Sequence, residues 1–294
     1  MTHDPLSFRG DPPLVLGASG RIGTGFQRLA RMGHWPGPPP LWQTRPGSDR
    51  QSENLLIWDM LAAAPPDFGN FQGIIALAGV VNGDLGLNTD LALAAIDLAR
   101  TTGRGPVLLT STAAVYGRLT YPATEETACY PISDYGKAKL AMEQAVAARR
   151  RELGSAAPAV CILRIGNVAG ADALLAAAAR GPVLLDHFGE NLGPERSYIG
   201  MLDLARIMVG LIALSSRSIP LPPILNIAAP RPAQMSALLL AAGPTWAWQP
   251  APPEAMRRIV LDTSKLDALV APHPQSDDPN ELIRQARLVG WAPA

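Results

Sequence analysis

Cysteine is scarce in this chain. Only Cys129 and Cys161 occur in 294 residues, and neither belongs to a metal or redox motif, so free thiols are expected rather than a disulfide framework. Histidine is scarce as well. His3, His34, His187 and His273 are scattered without metal-ligand spacing, so no metal site is expected. Neither sign of charge is in excess: 25 basic and 25 acidic residues give a formal net charge of zero. No basic stripe asks for a polyanion, which argues against a nucleic-acid partner. Long apolar runs are missing. Even the stretch from Met208 to Leu214 is broken by Arg206 before it and Ser215 after it, so no membrane-spanning segment and no membrane partner are expected. The opening, Met1 to Pro5, lacks the basic and apolar regions of a signal peptide. Together these absences predict a cytoplasmic protein.

What is present is core-forming material. Hydrophobic residues make up 48% and charged residues 17%, enough for a substantial core and unlike a disordered chain. Two periods alternate through the first half. Leu14 to Leu16, Leu41 to Thr44, Leu55 to Trp58, Gly73 to Ala78, Val107 to Thr110 and Val160 to Leu163 read as short buried strands. Arg21 to Met32, Asn88 to Ala99 and Ser133 to Arg150 read as helices, the first with Ile22, Phe26, Leu29 and Ala30 on one face. This alternation predicts an α/β fold with a parallel sheet covered on both faces. From about Ala169 the pattern loosens. Pro and Gly punctuate Gly181 to Pro194 and Ser218 to Pro223, and Pro244 to Pro253 is rich in proline and tryptophan. The last third predicts a small lobe packed against the ligand edge of the sheet.

Between the first strand and first helix stands Gly17-Ala18-Ser19-Gly20-Arg21-Ile22-Gly23. Glycine at this spacing lets a pyrophosphate approach the backbone and lets the helix pack close to the strand. The helix N-terminus then offers unpaired N–H groups to the phosphate charge. An ordinary tight turn of small residues would show the same letters. Further on, Tyr135 and Lys139 lie four apart at the start of the long helix, so they share a face. A neighbouring ammonium lowers the pKa of a phenol and makes it a usable acid or base. A solvated surface pair would have the same spacing. Upstream, Thr110-Ser111-Thr112 ends a strand in hydroxyls, which can orient a substrate oxygen beside the tyrosine.

In this order and spacing the sequence resembles the extended short-chain dehydrogenases/reductases, the NAD(P)-dependent epimerase/dehydratase group, over nearly its whole length. The resemblance implies a Rossmann-type doubly wound parallel sheet with a small C-terminal substrate lobe. It places the dinucleotide-binding part in residues 1–170 and mainly substrate-binding segments in 171–294, some of them returning to the sheet. It implies a catalytic set of Thr112, Tyr135 and Lys139. The cofactor would be held by Gly17, Ser19, Gly20, Arg21, Ile22 and Gly23, by Asp59 and Met60 after the third strand, by Leu77, Ala78 and Gly79 after the fourth, and by Tyr135 and Lys139. Leu163 to Gly170 looks like the segment whose asparagine, here Asn167, touches substrate. Arg196 with Tyr198 and Ile199 looks like the segment whose arginine meets a substrate phosphate; Asn167 as a turn cap and Arg196 as an exposed arginine are the plainer readings. The implied partner is a small molecule, such as a nucleotide sugar; the resemblance also allows a homodimer through the long helix.

Two departures refine this. The second strand ends Gln43-Thr44-Arg45, with no acid before Asp49. An acid there would bind the adenosine ribose diol and favour NAD; Arg45 instead suits a 2′-phosphate, so NADP is expected over NAD. The group's 4,6-dehydratases carry an Asp-Glu pair after the catalytic threonine. Ala113-Ala114 stands there, so a reductase or epimerase is expected and dehydration is not. The rival from another class is a dinucleotide-binding sensor or scaffold without turnover, which would not need the Tyr–Lys pair.

Overall fold

A computed structural model describes residues 10–48, 54–189 and 192–294. Asp49, His3 and the segment Met1 to Pro5 lie outside the described residues. Alternating strands and helices open the chain: β1 (Leu14–Leu16), α1 (Arg21–Arg31), β2 (Leu41–Thr44), β3 (Leu55–Ile57), β4 (Ile74–Ala76), α2 (Leu87–Thr102), β5 (Val107–Thr112), α3 (Asp134–Leu153) and β6 (Val160–Ile165). The second part runs β7 (Asn167–Val168), α4 (Ala173–Ala178), β8 (Val183–His187), β9 (Glu195–Arg196), β10 (Tyr198–Ile199), α5 (Met201–Ser216) and β11 (Ile224–Ile227). It closes with β12 (Ala233–Gln234), α6 (Met235–Ala242), β13 (Trp246–Pro250), β14 (Arg258–Ile259), α7 (Ser264–Leu269) and α8 (Pro279–Leu288).

Seven strands form one sheet in the order β11-β6-β5-β4-β1-β2-β3, and every pairing in it is parallel. The order reverses at β1, which leaves a crevice beyond the carboxyl ends of β1 and β4. The period-two strand pattern divides the core. Val15 faces α1 and α5, among Phe26, Leu29, Met208 and Ile212. Leu14 and Leu16 face α2 and α3, among Ile96, Met142 and Val146. Each such fully buried side chain contributes about 1.5–3 kcal/mol. Trp35 packs edge-on against both Phe26 and Trp42, at 5.3 and 5.8 Å, and closes the α1 side. Cys161 is in this core, where burial pushes its thiol up to about 12, so it is inert. Both cysteines are free.

The sheet is the Rossmann-type arrangement expected, with differences at element ends. Strands β5 and β6 run two residues beyond Thr110 and Leu163, to Thr112 and Ile165, because the two pair continuously over that length. The stretch Pro244 to Pro253 contains β13, paired in parallel with β8; its partner is 63 residues away at Gln249–Asp186, beyond the reach of local patterning. The smaller sheets, with α4, α6 and α8, share a core of their own around Leu175, Leu238, Leu282 and Trp291. Among the described residues no helix is long and apolar enough to cross a membrane.

Candidate active site

The crevice is built from the end of β1 outward. Gly17 has φ +80°, and a Cβ there would lie 2.5 Å from the Ala78 backbone. Glycine is thus required for the ends of β1 and β4 to approach. The Gly17 N–H donates to Gln43 Oε1 at 2.8 Å, and Gln43 Nε2 donates to the Trp58 carbonyl. A Cβ on Gly23 would lie 2.6 Å from Ala18, so α1 packs directly on the turn. Gly20 differs: its nearest neighbour would be the Gly17 carbonyl at 3.4 Å. It heads α1, which has no side-chain cap and no acid in its first turn. With no acid of α1 itself in that turn, its orphan N–H groups are suited to an anion.

Two adjoining cavities of ≈ 480 Å³ each share Gly20, Leu77, Gly79 and Val80. One is lined by Gly17, Ser19, Ala78, Arg45, Asp59 and Met60. Arg45 is exposed there and forms no ion pair among the described residues. Asp59 Oδ1 accepts the Leu61 N–H at 3.0 Å. The other cavity is lined by Arg21, Ile22, Gly23, Thr112, Tyr135, Lys139 and Asn167. Ser133 caps α3 by accepting the Gly136 N–H at 3.1 Å, which sets Tyr135 and Lys139 on the first turns of that helix.

The hydroxyls ending β5 are not equivalent. Thr110 Oγ1 donates to the Ala76 carbonyl at 3.0 Å and Ser111 Oγ to Glu143 at 2.5 Å. Thr112 Oγ1 accepts the Ala114 N–H at 3.2 Å, which leaves its proton to give. Lys139 is 3% exposed, with Nζ 3.5 Å from both Asn88 Oδ1 and Met142 Sδ. Burial pushes it down to about 8, against an upward pull from Glu143. Tyr135 is raised by burial. The expected lowering of the phenol by the lysine is not what this geometry gives, because Lys139 turns its hydrogen bonds to α2 and its own helix.

Asn167 lines the cavity and is paired in register with Tyr198, whose hydroxyl donates to Asp172 Oδ1 at 3.3 Å. Arg196 is the residue not brought to the others. Its guanidinium donates to the carbonyls of Glu195, Met256 and Arg257, at 2.9, 2.7 and 2.9 Å, and staples β9 to the chain before β14. Sequence reasoning passed over the structural role of Gln43 and passed over Asn88, which receives the Val80 N–H at 3.2 Å and meets Lys139. A polar residue at a buried helix or strand position beside a ligand edge is the signal that could have found both.

A family model described as the NAD dependent epimerase/dehydratase family matches residues 82–228, half of the chain. The chain belongs to this family. The matched segment holds Thr112, Tyr135, Lys139, Asn167 and Arg196, while the glycine turn and Arg45 precede it. Solved structures similar to this epimerase/dehydratase family member include the UDP-Glc/GlcNAc 4-epimerase from Campylobacter jejuni, at TM-score 0.74 and 18% identity, covering 95% of this chain and 99% of that one. The UDP-glucose 4-epimerase from Brucella ovis in complex with NAD has TM-score 0.72 and 20% identity, with 97% and 100% covered. The dTDP-glucose 4,6-dehydratase DesIV from Streptomyces venezuelae, with NAD and TYD bound, has 0.69 and 19%, with 94% and 96% covered. At these identities the likeness is one of fold. Since a 4,6-dehydratase shares it, the fold does not exclude dehydration. No curated protein matches the chain.

Proposed function

We propose that this family member is an NAD(P)-dependent oxidoreductase or epimerase acting on a hydroxyl or keto group of a nucleotide sugar or a similar small carbonyl substrate. One observation carries the reading: Thr112, Tyr135, Lys139 and Asn167 line a single cavity that adjoins the glycine turn. Residues 1–170 would bind the dinucleotide and 171–294 mainly the substrate, with α5 and β11 returning to the sheet.

The glycine cradle and the uncapped start of α1 suit a pyrophosphate. Ser19, Arg21 and Ile22 would flank it, and Leu77, Ala78 and Gly79 would back it. Asp59 and Met60 would frame the adenine. Arg45 would pair with a 2′-phosphate, which favours NADP and leans toward a reductase. A bound nicotinamide supplies the acceptance and return of hydride. Lys139 would hold ribose hydroxyls. Its ammonium, drawn toward them, would then come to bear on the phenol, whose hydroxyl gives or takes the proton. Thr112 would donate to the substrate oxygen and Asn167 would contact the substrate. Arg196 is left out of the site, since backbone carbonyls occupy its guanidinium. Ala113 and Ala114 carry no acid after Thr112, which supports oxidoreduction or epimerisation over dehydration.

The test is incubation of the purified protein with reduced and oxidised NAD and NADP against a panel of UDP- and dTDP-sugars. Loss of reduced-nicotinamide absorbance matched by reduced sugar identifies a reductase. Inverted sugar without net cofactor consumption identifies an epimerase. Tight dinucleotide binding with neither outcome across the panel favours the sensor reading and defeats the proposal.

A further inference from the structure

Beneath the Thr112 end of the crevice lies a buried ion pair that the chemistry above does not use. The side chains of Arg164 and Glu143 are 5% and 4% exposed. Arg164 Nη2 donates to Glu143 Oε2 at 2.7 Å, and its Nε lies 3.2 Å from each carboxylate oxygen. Ser111 Oγ donates to Glu143 Oε1 at 2.5 Å. The Tyr116 ring lies 4.8 Å from the guanidinium, and its hydroxyl donates to Asn226 Oδ1 of β11 at 2.7 Å.

One carboxylate thus ties α3 to β5 and β6. These elements carry Lys139 and Thr112 and lead into Asn167. As a source of stability such a pair is a poor choice, because desolvating two charges offsets most of their attraction. Apolar side chains could hold α3 to the sheet equally well. What they could not supply is charge. Glu143 stands four residues after Lys139, on the same helical face. Among the described residues, the groups set against Lys139 Nζ are neutral: Asn88 from α2, Met142 from its own helix and Gly79 after β4. Arg21 of α1, Tyr135 of α3 and Asp172 before α4 line the same cavity, the Tyr135 phenol and the Asp172 carboxyl both raised by burial. Arg164 of β6 is paired to Glu143 itself.

We propose that Glu143 is a positioning residue for Lys139: held by Arg164 and Ser111, its carboxylate fixes the turn of α3 that carries the lysine and keeps the buried amine an ammonium. The proposal rests on the reading of Lys139 as a ribose ligand. Removing the Glu143 charge leaves burial unopposed, so Lys139 gives up its proton at lower pH.

The test is dinucleotide affinity by calorimetry over a pH series, using whichever of NAD and NADP binds more tightly, with thermal melting as the control for folding. Wild-type affinity should weaken as pH rises through about 8. Lys139→Met should abolish this step. Glu143→Gln keeps the shape and an acceptor for Ser111, and should move the step down by about one pH unit, a tenfold change in the proton equilibrium. Glu143→Asp keeps the charge and should leave the step near its wild-type position. Should Glu143→Gln fail to fold, combining it with Arg164→Met replaces both charges. The step should still fall, because Glu143 is the charge that acts on Lys139. A step that persists in Lys139→Met overturns the ribose role, and this proposal with it. A step that vanishes in Lys139→Met but stays in place in a folded Glu143→Gln or paired variant overturns the role of Glu143 alone.

Discussion

The two ends of the crevice are held by different means. At the Arg45 end, the side chains offered to a ligand are exposed or on loops, and the shape comes from backbone, with Gly17 set directly against Ala78. At the Tyr135 end, the shape comes from buried polar side chains, with Lys139 resting on Asn88 and Glu143 on Arg164 and Ser111. The difference separates two kinds of fragility. Side chains at the first end should change affinity without changing the fold. Those at the second should change chemistry and stability together.

The largest expected effect is at the second end. Tyr135→Phe removes the hydroxyl proposed to exchange the proton and should lower turnover on the order of a hundredfold or more, with dinucleotide affinity kept. Thr112→Ala should cost less, because water can orient a substrate oxygen. Ser111, although adjacent, cannot stand in, since its hydroxyl is committed to Glu143. Steady-state kinetics on the identified substrate checks the ranking; near-normal turnover by Tyr135→Phe would end the proposed mechanism.

Lys139 should reveal the cost of that end. Burial holds its folded pKa at about 8, below the ordinary lysine value of 10.5. A depressed base means the unfolded chain binds more protons between those values, so stability rises with pH across that window and is lowest below it. Lys139→Met should therefore raise stability at neutral pH, by up to about 3 kcal/mol, while weakening dinucleotide binding. Chemical denaturation at several pH values measures the gain, and a destabilised, folded variant would contradict it.

Arg45 probes the opposite end. A well-made contact to a 2′-phosphate contributes about 1.5–3 kcal/mol, so Arg45→Ala should lose roughly tenfold or more of the preference for NADP with an unchanged melt. A wild-type preference for NAD sinks this assignment outright. The smallest effect expected is at Gly20. Space for a Cβ exists there within the chain, so Gly20→Val should fold normally and weaken dinucleotide binding about tenfold, roughly 1.4 kcal/mol, by crowding the phosphates. Unchanged affinity would move the phosphate site away from α1.

The same contrast governs what was legible in the sequence. The strands of the first half, the turn at Gly17 to Gly23 between β1 and α1, and the helix that carries Tyr135 and Lys139 are local patterns, and their places in the fold are legible because strand, turn and helix each leave a short-range signature. The pairing of β8 with β13 was not legible, nor the capture of Arg196 by Met256 and Arg257, since both depend on chain some sixty residues away. The direction of the Tyr135 shift was misread for a related reason: spacing puts the lysine on the same face, but burial and the reach toward Asn88 decide what each group feels.

The return of β11 to the edge of the large sheet has a consequence for any attempt to dissect the protein. Residues 1–170 look separable in sequence order, yet they lack α5 and β11. That fragment would leave β6 as a bare edge strand and strip Met208 and Ile212 from the face beneath Val15. An open parallel edge beside an uncovered apolar face invites pairing between copies. The chain passes between its two cores near Gly166, Gly200 and Ala228, and several such tethers restrict relative motion more than a single linker would. Expression of the half-chain should give aggregates rather than a minimal dinucleotide binder, and engineering of substrate range will have to proceed within the whole molecule, one loop at a time.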